Sequence, residues 1–325
     1  MALTKILSLA MLLALSPARN HWTAHHVPVL GPYTDLVGET GYVWITSRSS
    51  QSIVRMATGG QTTVFRTPGY VPAYLTLGQD QRIWMTFQDH PNDVGAIDEN
   101  GQLTVYVQQP GVGDIPASKI TSLTNFGTML LGARFGMISF GGEGGNGYEQ
   151  PYPIKPGKNG NDQIAMVLGS GLVGWFTECC LSGGGAVGTQ STYKGPQETA
   201  LPFPECERPA GIVELTHLSR IFIPCAGPKD TILVSLDEPT MKVHPIPFPG
   251  RYPARVNTVA QASSDRLFFS TGAIRALVVY DAQKRAFSTV RTPDGMTPRS
   301  IVSIYFDDFY VLPDDGRPTV YEYRP

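Results

Sequence analysis

Apolar residues in this chain come in short runs broken by turn residues, and no stretch carries the 3.6-residue period of a long amphipathic helix. One run recurs: Val43-Trp44-Ile45-Thr46, Ile83-Trp84-Met85-Thr86, Met129-Leu130-Leu131-Gly132, Gly174-Trp175-Phe176-Thr177, Ile221-Phe222-Ile223-Pro224, Leu267-Phe268-Phe269-Ser270 and Phe309-Tyr310-Val311-Leu312. The second positions are 40, 46, 45, 47, 46 and 42 residues apart. A period in the forties with several short strands per unit predicts a β-propeller.

The unit reads most clearly over residues 74–110. Tyr74–Leu77 is a first strand, Gln79-Asp80-Gln81 a turn, Arg82–Phe87 a second strand and Val94–Asp98 a third. Glu99-Asn100-Gly101 is a tight Asn-Gly turn, Leu103–Val107 a fourth strand, and Pro110 closes the unit where no ladder N–H is needed. The expected fold is all-β: a seven-bladed propeller with four-stranded blades. The last unit supplies only three strands, Ile301–Phe306, Asp308–Leu312 and Thr319–Tyr323. The segment from His21 to Pro28 reads as the missing fourth, so the N-terminal strand closes the ring and removes two exposed sheet edges.

Composition adds boundaries. The chain has 325 residues, 35 of them Gly and 27 Pro, with only 16% charged, which suits many turns and short strands. A net charge of −2 and the lack of a basic stripe give nucleic acid no electrostatic footprint. Residues 1–18 read as a signal peptide: Lys5 flanks an apolar run from Ile6 to Leu15, and Ser16-Pro17-Ala18 offers small residues for cleavage. The run is too short to span a bilayer, so a secreted chain without a membrane span, one propeller domain over 19–325, is expected. Cys179, Cys180, Cys206 and Cys225 all fall on one propeller face and read as disulfide candidates with three pairings open.

Small-molecule sites in propellers lie at the mouth of the central channel, rimmed by the starts of first strands and the ends of second strands. That inventory contains Asp35, Tyr74, Ser118, Arg255 and Arg299 at starts, and Phe87, Arg134 and Glu178 at ends. Arg255 and Arg299 read either as inter-blade ion pairs with Glu178 or Asp35, or as ligand groups. Trp84, with Trp44 and Trp175, stands at the repeat position and reads first as blade packing, with Trp84 also a wall candidate. His90, beside Asp89 and Asp93, reads as a solvated loop residue, and His217 and His244 as structural. No Asp, Glu and Asn cluster suggests a metal, and no cofactor is expected. Gly141 to Gly147 lacks the Lys-Ser/Thr of a phosphate loop; it and the stretch from Leu181 to Gly185 are lid candidates.

The second unit resembles the repeat of the streptogramin lyases. Pro72-Ala73-Tyr74-Leu75-Thr76, Gly78-Gln79-Asp80, Ile83-Trp84-Met85-Thr86-Phe87, Val94-Gly95-Ala96-Ile97 and Gly101-Gln102-Leu103-Thr104 follow that repeat without a gap, and Trp175-Phe176-Thr177-Glu178 matches another piece. The resemblance implies a propeller, and a lyase that uses a mouth histidine, a nearby Glu and Mg²⁺. This chain departs from it. The histidine position holds Ala73, Ala117, Ala210, Ala254 or Arg299, and the paired Glu position holds Phe87, Ser270 or Thr271, although Glu178 remains.

A secreted propeller with an aromatic, arginine-bearing mouth and no base is similar to the fungal hetero-Diels–Alderases of tropolone–sesquiterpene biosynthesis. That resemblance implies a metal-independent cyclase that joins a reactive quinone methide to an alkene of a small hydrophobic substrate. Arg255, Arg299, Tyr74 and Glu178 are then the expected catalytic set. Phe87, Trp84, Arg134, Asp35 and Ser118 are the expected binding set. The alternatives are a metal-dependent lyase or lactonase and a non-catalytic binding propeller.

Overall fold

A computed structural model describes residues 21–29, 31, 33–47, 49–78, 80–90, 93–107, 119–123, 128–133, 136–141, 148–153, 163–170, 173–179, 185–191, 197–203, 206, 208–226, 231–249, 256–262, 265–305 and 307–325. Within that set, residues 34, 107, 119–170, 178, 179, 190, 191, 208 and 305 are described by backbone alone. The leader expected at residues 1–18 lies outside it. No helix among the described residues is long and apolar enough to cross a membrane.

The described strands pair into six four-stranded antiparallel sheets and one of five strands. Each four-stranded sheet is a meander of strands consecutive in sequence, as in a propeller blade, save the one the N-terminus completes. There, strand His21–His26 pairs with Thr319–Arg324, running from His21 opposite Arg324 to His26 opposite Thr319, so the ring closes as the sequence led us to expect. His25 Nε2 lies 2.8 Å from the buried Glu322 carboxylate, and the His25 ring stacks on Tyr310 at 6.2 Å. Gly60, in a φ of +83°, brings its backbone so close to the His25 ring that a Cβ there would sit 2.7 Å from Nδ1. The closing strand is thus anchored to the first blade as well as to the last.

The expectation of seven uniform four-stranded blades is corrected. Six blades have that form; residues 208–247 form the five-stranded sheet, whose innermost edge is two pieces, Arg208–Pro209 and Val213–Leu215, both paired with Arg220–Ala226. Pro224 in the middle of that partner strand has no N–H to donate, so the ladder breaks opposite it. Gly211 in the gap approaches the next blade closely: a Cβ there would meet Val259 at 2.7 Å. Strand limits also shift. The first strand of the second unit begins at Pro72 and the last inner strand at Pro298, each earlier than the pattern implied.

The core lies between blades. Successive strand residues point to opposite faces, and the repeated tetrapeptide uses both. Trp44 packs with Ile83, Met85 and Phe87 of the next blade. Trp175 packs with Ile221 and Ile223, Phe222 with Leu267 and Phe269, Phe268 with Phe309 and Val311, and Tyr310 with Val43 and Ile45. The second position therefore faces forward and the first and third face back, and every residue of Ile83–Phe87 is buried.

Of the four cysteines, Cys206 and Cys225 form a disulfide between two fully buried residues and tie the entry of the five-stranded sheet to its second strand. The Cys179 side chain and Cys180 lie outside the described residues. Thiol titration of denatured, unreduced protein should find no more than two free thiols, and finding four would contradict the bridge. Replacing both Cys206 and Cys225 with Ala should cost about 2–5 kcal/mol in denaturant unfolding, in keeping with native bridges of small secreted domains.

Candidate functional site at the channel mouth

The inner strands share a defect at one end. Their register slips between Tyr33 and Leu36, Pro72 and Leu75, Ile164 and Met166, Val256 and Thr258, and Pro298 and Ser300. A bulge bends its strand, re-aims the extra side chains and often sits beside an active site. Asp35, Ala73, Tyr74, Asn257 and Arg299 all fall in these bulges, at the end where first strands start and second strands finish.

Two of the bulges are locked from the preceding blade. In one, Asp35 Oδ2 accepts the Leu75 N–H across the blade boundary at 3.0 Å, directly behind Tyr74. Asp35 N–H in turn donates to Thr46 Oγ1 at 2.9 Å. In the other, Thr258 Oγ1 accepts the Ile301 N–H at 2.9 Å, and Ser270 Oγ donates to the Arg299 carbonyl at 3.0 Å. The two hydroxyls lie 2.8 Å apart, and Thr258 N–H donates to Ser270 Oγ at 3.1 Å. With the Ser270 proton committed to Arg299, the Thr258 hydroxyl donates to Ser270. The Thr86 hydroxyl, equivalent to Thr46, is fully buried with no hydrogen-bond partner.

The expected site residues fall in several places. Arg299 Nη1 lies 3.4 Å from Asp314 Oδ1 within its own blade, with both side chains more than a third exposed; among the described residues it makes no ion pair with Asp35. Tyr74 is half-buried in its bulge and Asp35 is half-buried beside it. Phe87 ends its strand at the mouth but is 1% exposed, with its ring 4.6 Å from Tyr70 and filling the space above Gly95. Trp84 is fully buried toward the opposite end, where its indole N–H donates to Asp80 at 3.0 Å, its ring stacks on Tyr106 and Arg82 lies 4.8 Å over it. Glu178 belongs to strand Val173–Cys179 opposite Ile164, with its side chain outside the described residues. Arg134, Ser118 and Arg255 also lie outside them.

The sequence reading assigned no site role to Thr258, Thr46 or Asn257, and met Ser270 only as a departure from the paired Glu of the resembled lyases. Part of the signal was visible: the fourth position of the repeated tetrapeptide is a hydroxyl in Thr46, Thr86, Thr177 and Ser270.

All six histidines of the chain are described, and none is on an inner strand. His21, His25 and His26 are on the closing strand. His217 pairs with the buried Asp265 at 2.5 Å on the opposite face, and His244 is exposed on an outer strand. His90 alone follows a second strand at the mouth end. Its Nδ1 is 3.3 Å from Asp89, and its ring packs on Tyr70 at 4.6 Å. Burial alone would raise the Asp89 carboxyl, but the Val71 N–H at 2.8 Å and His90 outweigh it and hold that carboxyl below the usual range. Burial raises the Tyr33 phenol to about 12, and its hydroxyl donates to the Val29 carbonyl. Among the described residues no three His, Cys, Asp or Glu side chains gather as a metal-holding group. The described mouth residues thus do not fit the lyase set of histidine, Glu and Mg²⁺.

No protein-family profile and no curated protein matches this chain. Solved structures do match in fold. Virginiamycin B lyase from Staphylococcus aureus superposes with a TM-score of 0.76 at 17% identity, covering 94% of this chain and 99% of that one. A catalytically inactive form of the same lyase, solved with quinupristin, gives 0.76 at 18% over 94% and 100%. A streptogramin B lyase structure gives 0.73 at 16% over 94% and 98%. At these identities the likeness is one of fold.

Two predictions follow from the electrostatics and the bulge locks. Asp35→Ala leaves the Leu75 N–H without its acceptor and should cost about 1–3 kcal/mol in urea unfolding, while Asp35→Asn, which keeps an acceptor oxygen, should cost less. Away from the mouth, burial first, then Glu214 and Asp237, raise the Glu238 pKa. A raised carboxyl contributes stability below its unfolded pKa of about 4.3 and loses it as pH rises through the folded value. Glu238→Gln should therefore raise Tm at pH 7, with the gain fading by about pH 4; an equal gain at both pH values would contradict this.

Proposed function

We propose that this chain is a secreted small-molecule enzyme of natural-product biosynthesis, a metal-independent cyclase of the hetero-Diels–Alder type that works at the channel mouth. The observation that carries the reading is the position of the histidines. The blade starts that hold the base in the resembled lyases hold Ala73, Ala210 and Arg299 in the described mouth, and all six histidines are elsewhere.

A cycloaddition needs no base. In the joining of an o-quinone methide to an alkene, one C–C and one C–O bond form at the expense of π bonds, and no proton, electron pair or leaving group departs. The protein's part is to hold the two apolar partners in register, exclude water and offer a donor where charge builds on the oxygen. Arg299 and Tyr74, carried in bulges of the inner strands, are the donors of this reading, with Arg255 and Arg134 further candidates. Phe87 contributes as the packed wall behind the bulge, while Trp84, buried toward the opposite end, packs the blade. The Cys206–Cys225 bridge is compatible with the oxidising compartment that the leader implies.

A second reading, a lyase of the streptogramin B type, is favoured by the superposition over 94% of the chain. It would need Glu178 and a base other than histidine. The pH profile and metal dependence separate the two. A cyclase should keep its rate in EDTA and from mildly acidic to mildly basic pH, since no titrating base takes part. Arg299→Ala should lower turnover by roughly 10²–10³, as loss of one oxyanion donor does elsewhere. EDTA-sensitive turnover with a steep pH limb would instead establish the lyase.

A further inference from the structure

We propose that Thr258 and Ser270 are positioning residues that hold Arg299 as a mouth site for an anionic oxygen, such as a phenolate. This deepens the reading above and rests on it for the role of Arg299. Arg299 is the extra residue of its bulge, between the pairs Pro298–Pro313 and Ser300–Leu312. A bulged residue lacks the ladder bonds that fix its neighbours. Here the preceding blade supplies replacements on both sides: Ser270 Oγ holds the Arg299 carbonyl at 3.0 Å and Thr258 Oγ1 holds the Ile301 N–H at 2.9 Å.

The hydroxyl position of the repeat serves different groups in different blades. Thr46 serves Asp35, and Thr86 has no partner. The closing blade has Leu312 there and cannot fix its own bulge, so the fixing groups come from 29 and 43 residues away in sequence.

The guanidinium so held is only loosely engaged. Its partner Asp314 is 3.4 Å away, and the two side chains are 37% and 46% exposed. An exposed pair of this kind is worth little in water and is screened by salt. A ligand oxyanion that is desolvated as it enters the mouth can displace Asp314 and take the planar donor face of the guanidinium.

Binding of 4-nitrophenolate, followed by its absorbance shift above its own pKa, tests this without turnover. Wild-type protein should bind it saturably, more weakly as salt is raised. Arg299→Ala should weaken binding at least tenfold. Thr258→Val and Ser270→Ala should weaken it about three- to tenfold, while Thr258→Ser, which restores the acceptor, should bind as wild type; near-UV circular dichroism confirms that each is folded. Wild-type affinity in folded Thr258→Val and Ser270→Ala, with affinity lost in Arg299→Ala, overturns the positioning role and leaves the mouth reading in place. Undiminished binding by Arg299→Ala, or no saturable binding by wild type, overturns the anion site itself, whatever the cyclase assay shows.

Discussion

Trp44, Trp175, Phe222, Phe268 and Tyr310 stand at one point of the repeat, and each fills the wedge between its own sheet and the next. Every other feature depends on that contact. A four-stranded sheet buried on both faces cannot stand alone, so no blade is stable until its neighbours are in place, and the last can be satisfied only by the first. Truncating such a ring to Ala costs about 3–5 kcal/mol because the surrounding sheets do not collapse into the void. The His21–His26 strand is therefore part of the core's integrity: it covers the last sheet and, through His25, reaches Glu322 and the first blade's hairpin.

The same constraint explains why chemistry gathers at one end of the inner strands. Inner strands converge on the channel and are the most crowded, and a bulge relieves register there while turning side chains toward the mouth. A bulge leaves backbone groups without ladder partners, which buried polar groups do not tolerate. Asp35 and the Thr258–Ser270 pair answer that need from the preceding blade. The residues that stabilise the ring at the mouth are thus the ones that set where Tyr74 and Arg299 stand.

The likeness to virginiamycin B lyase and the absence of histidine from the inner strands agree on a scaffold and part on a mechanism. A rigid ring tolerates exchange of mouth residues, because the wedge contacts that hold it lie deeper in the blades. Fold and chemistry are carried by different positions of the same repeat.

The sequence by itself determined the all-β propeller, its repeat with a packing aromatic, and the closing N-terminal strand, because each is a local pattern: period two within a strand, a period in the forties between units, and turn residues between them. The tertiary structure alone decided three things. The inner strand at 208–215 is broken, because Pro224 removes a donor that only its partner strand would miss. Cys206 bonds Cys225, a choice among pairings that depends on distance. The mouth is clasped by Asp35, Thr258 and Ser270, whose partners lie 29 to 43 residues away on another blade. The register slips recur at the mouth end of the inner strands, but which side chains reach the backbone groups they orphan is settled only once neighbouring blades are packed.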